Sequence, residues 1–487
     1  MLFETVLAQA GIKPISQVGN PEITSITSDS RRCSAGFCFV ALKGSQVDGH
    51  KFISKAIEAD ASAIIAESSK FIPSDFPHAI VEDSHNALGV CAQTIYNKPA
   101  KKMTCIGITG TNGKSTVAHL VHNILTKLGK KSGMIGTITY ETQGRSIQAS
   151  MTTPPAEDLA EMLAEMVEHK VSHLVMEVSS HALDQQRTAG IDFKVGAFTN
   201  LSGDHLDYHK TMEEYLAAKT KLFSNLASDA FAVLNCDDQV TEKIVDATSA
   251  QILNYGLTPL ADLRAKILKI DAYGSEFELI YKGVQASVHT RLIGRHNVLN
   301  CLAAAGICAS LNIPLEDIAD ALREIKNVPG RLERVESNSK TKVFVDYAHT
   351  DDALANVLSA LRPITKGRVI AVFGCGGNRD KTKRPRMGSV AQELCDYQIV
   401  TSDNPRNEEP LAIIDDICSG MPNKETYSVE PDRKKAIAKA IEIANDDDVV
   451  LIAGKGHENY QLIQGVKTDF DDSKIAAEII ASLEERS

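Results

Sequence analysis

From Val343 onward the chain repeats one pattern four times: a short apolar run, a polar cluster, and a stretch with helical spacing. The runs are VFVDYA, RVIAVFG, YQIVTS and VVLIAG, with helices expected from Asp352, after Pro385, after Pro410 and from Asp472. Continuous apolar strands that alternate with helices need cover on both faces, which predicts a doubly wound, mostly parallel sheet. Ligands of such sheets collect beyond the carboxyl ends of the strands. Here each strand runs directly into chemistry, in the clusters DYAHTDD, GCGGNRDKTKR, SDNPRNEEP and GKGHENY. Their recurrence points to a site.

With 487 residues the chain exceeds what one core supports, and three domains are expected. The polar stretch Asn97-Lys98-Pro99-Ala100-Lys101-Lys102 marks one boundary, and Val328-Pro329-Gly330 marks another. The divisions are therefore 1–100, 101–330 and 331–487. The first contains strand-like runs Cys38 to Leu42 and Ala63 to Ala66 around an amphipathic stretch, His50 to Ala59. In the second, strands expected at His173 to Met176, Gly196 to Phe198 and Ala230 to Leu234 alternate with helices, again implying a mostly parallel sheet.

The formal net charge of -11 argues against nucleic acid or an anionic membrane as the main partner. The opening MLFETVLAQAGIKP lacks a basic leader and a long apolar run, and no stretch reaches the roughly 20 apolar residues that span a bilayer, so a cytoplasmic protein without a membrane span is expected. Its ten cysteines are scattered without CxxC pairs, as buried reduced thiols would be.

Residues 107–116, GITGTNGKST, lie between a strand-like run and a helix. Backbone N–H groups there can face phosphate oxygens while the helix N-terminus adds partial positive charge. Lys114 would reach the β/γ phosphates, and Ser115 or Thr116 would offer a hydroxyl to Mg²⁺. The spacing departs from GxxxxGK[ST], whose first Gly falls at Ile108. In LVMEVSSHALDQQR, Glu177 ends a strand where it can hold Mg²⁺ directly or through water. Farther on, Asp204, His205, Asp207 and His209 crowd together before a helix bearing Lys219. His119, His122 and His173 read as packing or surface residues, and Asp446-Asp447-Asp448 as a solvated turn.

GTNGKST, MEVSSHAL, NLSGDHLDYH with the later AAK, GRHNVLNCLAAAG, VPGRLE, DYAHTDDAL and GKGHE together resemble the successive motifs of the Mur ligase family, over essentially the whole chain. The resemblance implies a small α/β N-terminal UDP-binding domain, a central P-loop ATPase domain and a C-terminal Rossmann-like domain. It also implies ATP-dependent coupling of a carboxylate to an amine through an acyl phosphate, acting on small molecules as a monomer. On matching positions, ATP is assigned to Gly110, Thr111, Asn112, Gly113, Lys114, Ser115 and Thr116, with Asn297, Asn300, Arg331 and Asp346. Ser115 and Glu177 would hold one Mg²⁺. His205 and Lys219 would help hold a second, Lys219 as a carbamate formed with CO₂, since an ammonium cannot ligate a cation.

Within that family the likeness is to members that add diaminopimelate to UDP-N-acetylmuramoyl-L-alanyl-D-glutamate in peptidoglycan synthesis. It places Ser28 and Ser30 of SDSRRCSAGFCFVALKG against the UDP, and Thr152, Thr153, Ser179, Gln185 and Arg187 on the muramoyl peptide. Asp403, Asn404, Pro405 and Arg406, with Arg379, Gly454 and Glu458, would form the diaminopimelate pocket. An Arg guanidinium suits the carboxylate that distinguishes diaminopimelate from lysine. Two positions depart from the family pattern: Asn378 stands where Asp is common, and Asp351 where Pro is common. A lysine-adding ligase or a folylpolyglutamate synthase shares this architecture, and a non-ligating regulatory P-loop ATPase is the alternative of another class.

Overall fold

The computed structural model describes residues 1–44, 47–142, 144–204, 206–337 and 341–484, with Leu206 and Asp207 described by backbone alone. The chain forms two compact units, Met1–Tyr255 with Ala303–Ile313, and Gly256–Leu302 with Pro314–Ser487.

The first unit holds two sheets. The smaller orders Ser16–Val18, His78–Ile80, Ala63–Ala66, Phe37–Val40 and Ser25–Thr27, with only the Ser16–Val18 edge antiparallel. Phe3, Val6 and Leu7 of the first helix and Leu88, Cys91 and Ala92 of helix Ser84–Ile95 pack on one face. In the larger sheet, Thr104–Thr109 lies between His173–Glu177 and Phe193–Phe198, all parallel. Its residues Cys105 to Thr109 are buried, as TCIGIT implies for a strand covered on both faces. Phe231–Asn235 and Gln251–Gly256 extend it on one side, and Ser132–Ile135 followed by the hairpin Thr139–Thr142 and Arg145–Gln148 on the other.

In the second unit, Leu263–Asp271, Gly274–Tyr281 and Val284–Thr290 form an antiparallel meander. Helix Leu315–Glu324 packs on it, burying Leu315, Ile318, Ala319 and Leu322 at helical spacing. A second sheet orders Glu333–Arg334, Lys342–Asp346, Val449–Ala453, Val369–Phe373, Tyr397–Val400 and Tyr427–Val429, parallel except at the first edge. Helices Asp351–Leu361, Lys383–Leu394 and Pro410–Cys418 pack on one face around Phe344, Ala371 and Phe373. Helices Arg433–Glu442 and Asp472–Glu484 cover Val345, Ile370 and Ile452 on the other. This is the doubly wound arrangement that the alternating runs predict.

Several details differ from expectation. Helix Lys383–Leu394 begins before Pro385, which sits in its first turn where no backbone N–H is needed. Strand Tyr427–Val429 and helix Arg433–Glu442 form a fifth pair. Asp448 is buried, not solvated: it accepts from the backbone of Arg368 and Asn445 and from the Arg368 guanidinium at 2.7 and 3.0 Å. Asp446 and Asp447 remain exposed. All ten cysteines are unpaired. Among the described residues no helix is long and apolar enough to cross a membrane.

Candidate active site

The strand Thr104–Thr109 feeds residues 110–113 into helix Lys114–Lys127. Gly110 has φ +145°, and a Cβ there would collide with Thr199 Oγ1, so both the turn and the close approach demand glycine. Asn200, absent from the expected set, holds the loop: its backbone carbonyl accepts from Thr111 N and its side-chain oxygen from Asn112 N. Lys114 Nζ donates to the carbonyls of Gly110 and Thr111 at 2.9 and 2.8 Å. Ser115 and Thr116 are buried at the helix start.

Lys219, on helix Met212–Ser224, is buried and donates to the same Gly110 carbonyl at 2.8 Å. Its ammonium lies 4.2 Å from the Tyr215 ring centroid. Burial drives the Lys219 pKa well below the usual lysine range, and the nearby Lys114 charge pushes the same way, against a smaller opposing influence of Asp204. The expected second-metal ligand His205 lies outside the described residues.

Glu177 is fully buried at the end of its strand. Its carboxylate accepts from Ser115 Oγ at 3.0 Å, from Thr137 Oγ1 at 2.9 Å and from Thr137 N at 2.8 Å. Gly136 lets it lie there, since a Cβ at that position would strike Glu177 Oε1. A hydroxyl and a carboxylate at a phosphate loop are hard oxygen donors suited to Mg²⁺, which takes one or two protein oxygens and completes its shell with phosphate and water. Thr137 was missed in the sequence; its one signal is a hydroxyl just past the strand Ser132–Ile135.

Thr137 Oγ1 lies 3.1 Å from Thr152 Oγ1, which joins the carboxylate to the expected peptide-binding residues. Thr153 Oγ1 donates to the Glu177 carbonyl at 2.8 Å. Ser179 caps the helix Ser180–Asp184 by accepting from Ala182 N. Arg187 donates to the Thr153 carbonyl at 2.8 Å and, with two nitrogens, to Gln185 Oε1. Gln185 in turn reaches Tyr208 Oη at 3.2 Å. Ser28 donates through its amide and hydroxyl to the buried Glu157, at 2.9 and 2.7 Å, while Ser30 opens the short turn Ser30–Arg32.

In the second unit, Asn300 Nδ2 donates to Asn297 Oδ1, and Asn297 Nδ2 to the Ile293 carbonyl, on the buried side of helix Arg295–Ser310. Asp346 accepts from Leu332 N at 2.6 Å and Ala348 N at 2.7 Å. Burial raises its pKa, against Arg331 and these backbone donors. Arg331 stacks 4.8 Å from the Tyr347 ring centroid.

The DNPR turn follows strand Tyr397–Val400. Asn404 is held on three sides: Nδ2 donates to Glu458 Oε2 at 2.7 Å, and Oδ1 accepts from Lys455 Nζ and Leu462 N. Asp403 Oδ1 accepts from Asn404 N, whereas its buried Oδ2 has no partner among the described residues. Pro405 is buried, and Gly454 N donates to the Asp346 carbonyl. Arg406 has φ +53°, sits in a bridge with Ile463, and donates through Nη1 to the Gly377 carbonyl at 2.8 Å. Beside it Asn378, also left-handed at φ +53°, accepts from Asn407 N, and Arg379 Nη1 lies 3.5 Å from the Asn378 carbonyl. Asn, like Asp, tolerates that backbone region, so the departure keeps the turn's conformation. The other, Asp351, starts a helix, where a carboxylate is favoured, and pairs with Arg386. Lys455 was missed as a separate residue although it lies inside GKGHE.

Three family models match: "Mur ligase family, catalytic domain" over residues 22–103, "Mur ligase middle domain" over 108–308 and "Mur ligase, glutamate ligase domain" over 330–456. The UDP-N-acetylmuramoyl-L-alanyl-D-glutamate--2,6-diaminopimelate ligase of Bacillus velezensis is 44% identical over 96% of both chains. The enzyme of the same name from Aquifex aeolicus is 43% identical over 94% of both. A solved structure of a ligase with that name superposes at TM-score 0.73, with 31% identity and 99% of each chain covered. A folylpolyglutamate synthase of Mycobacterium tuberculosis, at 18% identity, TM-score 0.63 and 74% and 90% coverage, shares the fold alone. With its phosphate loop, buried carboxylate and three matched domains in order, the chain belongs to the Mur ligase family.

Proposed function

We propose that this ligase adds 2,6-diaminopimelate to the D-glutamyl γ-carboxylate of UDP-N-acetylmuramoyl-L-alanyl-D-glutamate, consuming ATP. The observation that carries the reading is the 44% identity, end to end, to a ligase of that name. Divisions at 1–100, 101–330 and 331–487 serve UDP, ATP and the amino acid in turn, and the matched family segments support them. The enzyme works in the cytoplasm as a monomer.

A γ-carboxylate oxygen attacks the γ-phosphorus of ATP, and the bond to the bridging oxygen breaks to release ADP. The diaminopimelate amine then attacks the acyl phosphate carbonyl, inorganic phosphate leaves, and the nitrogen loses a proton. The first step brings two anions together, so positioning and charge neutralisation carry it. Lys114 leaves the loop carbonyls for the phosphates, while Arg187, Thr152 and Thr153 orient the peptide. Mg²⁺ at Ser115 and Glu177 supplies further charge neutralisation when bound. Lys219 takes up CO₂: its neutral amine forms the N–C bond and releases a proton, and its depressed pKa supports this by keeping the amine neutral. At the amino acid, Asp403 Oδ2 accepts an ammonium, and Arg406 and Arg379 take a carboxylate.

The test supplies ATP, Mg²⁺ and the UDP-dipeptide with either meso-diaminopimelate or L-lysine, and reads phosphate release and product mass. A tripeptide with diaminopimelate alone is expected. Preference for lysine would overturn the specificity assignment, and hydrolysis indifferent to both amines would overturn the ligase reading.

A further inference from the structure

The DNPR turn and the GKGHE turn meet where Asn404 bonds Glu458 and Lys455, yet the strands that carry them, Tyr397–Val400 and Val449–Ala453, are not neighbours: Val369–Phe373 lies between them. Ladder hydrogen bonds therefore cannot set the distance between the two turns directly. Besides the Asn404 amide, which bonds Glu458 and Lys455 within the turns, one side chain from outside both turns reaches the residues just before them. Arg433, the first residue of helix Arg433–Glu442, donates through Nη2 to the Ala453 carbonyl at 3.0 Å and through Nη1 to the Ser402 carbonyl at 3.3 Å. Asp403 and Gly454 are the very next residues.

The guanidinium is itself held. Nε and Nη2 donate to the two carboxylate oxygens of Asp472 at 2.8 and 2.7 Å, and both side chains are fully buried. Asp472 is the first residue of the terminal helix, where the helix dipole favours a carboxylate. The planar fork thus uses one edge for the carboxylate and the other for two backbone carbonyls, a division that a lysine ammonium cannot reproduce.

We propose that Arg433, clamped by Asp472, is a positioning residue for amino-acid recognition, fixing the separation of Asp403 and Asn404 from Gly454 and Glu458 across the intervening strand. The inference rests on the proposed diaminopimelate reaction. It makes Arg433 act through backbone carbonyls and not by touching substrate.

The test compares the full-length wild type with Arg433→Lys and with the double variant Arg433→Met, Asp472→Leu, which removes both buried charges together and so leaves neither uncompensated. Misplacing a substrate by about 1 Å can cost on the order of a hundredfold, so KM for diaminopimelate is expected to rise at least about tenfold in the double variant. KM for ATP and for the UDP-dipeptide should stay within about twofold, because those contacts do not depend on this spacing. Arg433→Lys should recover part of the loss. A double variant that melts like the wild type and keeps its diaminopimelate KM within about twofold would reduce Arg433 to a purely structural role. If the double variant does not fold, the same KM comparison in Arg433→Lys decides, an unchanged value overturning the proposal. Wild type lacking diaminopimelate-dependent ligation would instead overturn the proposed function; if it ligates another amine, the KM of that amine becomes the readout for Arg433.

Discussion

Lys114 and Lys219 donate to one oxygen, the carbonyl of Gly110, from two different helices, Lys114–Lys127 and Met212–Ser224. The two amino groups can share one acceptor because burial and the Lys114 charge favour a neutral Lys219. A neutral buried amine is the form that reacts with CO₂. Acidification through the depressed Lys219 pKa protonates it, so a carbamate formed at neutral pH should disappear as pH falls. Carbon-13 NMR with labelled bicarbonate is expected to show one protein carbamate signal, absent in Lys219→Ala. That variant should lose roughly a hundredfold or more in activity, as a loss of charge stabilisation does, with partial rescue by short carboxylic acids. Full activity in Lys219→Ala would remove the residue from the mechanism.

Glu177→Gln should cost both stability and metal response. Its two carboxylate oxygens accept from Ser115, Thr137 Oγ1 and Thr137 N, and an amide nitrogen can accept from none of them. One buried donor left without an acceptor costs about 1–3 kcal/mol. Thermal melting should register this loss, while a Mg²⁺ titration of activity should shift to higher concentration. An unshifted titration would mean that Glu177 serves the loop and not the ion.

Substituting Arg406 by lysine tests the choice of amino acid. A hydrogen bond to a charged group contributes about 1.5–3 kcal/mol, so the ratio of kcat/KM for diaminopimelate over L-lysine should fall by about ten- to a hundredfold. Competition between the two amines, read by product mass, gives the ratio directly. Equal ratios before and after substitution would transfer the specificity to Arg379.

Asp448 links stability to pH. Burial disfavours its ionised form, but hydrogen bonds from Asn445 N and from the guanidinium and backbone of Arg368 outweigh that and lower the pKa below the ordinary Asp value. The stabilisation is therefore complete above the unfolded pKa of about 3.9 and disappears as pH falls through the lower folded value. Asp448→Asn should destabilise by about 1–3 kcal/mol at pH 7. The gap from wild type, followed by denaturant unfolding, should close on acidification below about pH 4. A gap constant with pH would assign the effect to packing.

The doubly wound sheet was legible because VIAVF and VVLIA are continuous apolar runs of strand length that end in polar, glycine-containing clusters, as strands covered on both faces do. Glu177 was legible because it ends such a strand beside the phosphate loop. Strand Tyr427–Val429 escaped because three half-exposed residues carry no period, and its helix was hidden by the charges of RKKAIAKAIE. Asp448 looked solvated because a run of three acids gives no sign of which one will meet an arginine 80 positions away. Thr137 and Arg433 were invisible for the same reason: their partners are distant in sequence, and neither residue type announces a site by itself.

The left-handed backbone at Arg406 is kept in place from outside the DNPR turn. Its amide donates to the Leu462 carbonyl at 2.9 Å, and its carbonyl accepts from Gln464 N, both belonging to the hairpin of Tyr460–Ile463 and Val466–Asp469. Transplanting the four-residue motif into a relative with a different hairpin would move the letters without the posture that aims the guanidinium. If Arg406 selects the amino acid as proposed, the module to exchange is two discontinuous segments, and engineering that exchanges them together should succeed where exchange of either alone fails.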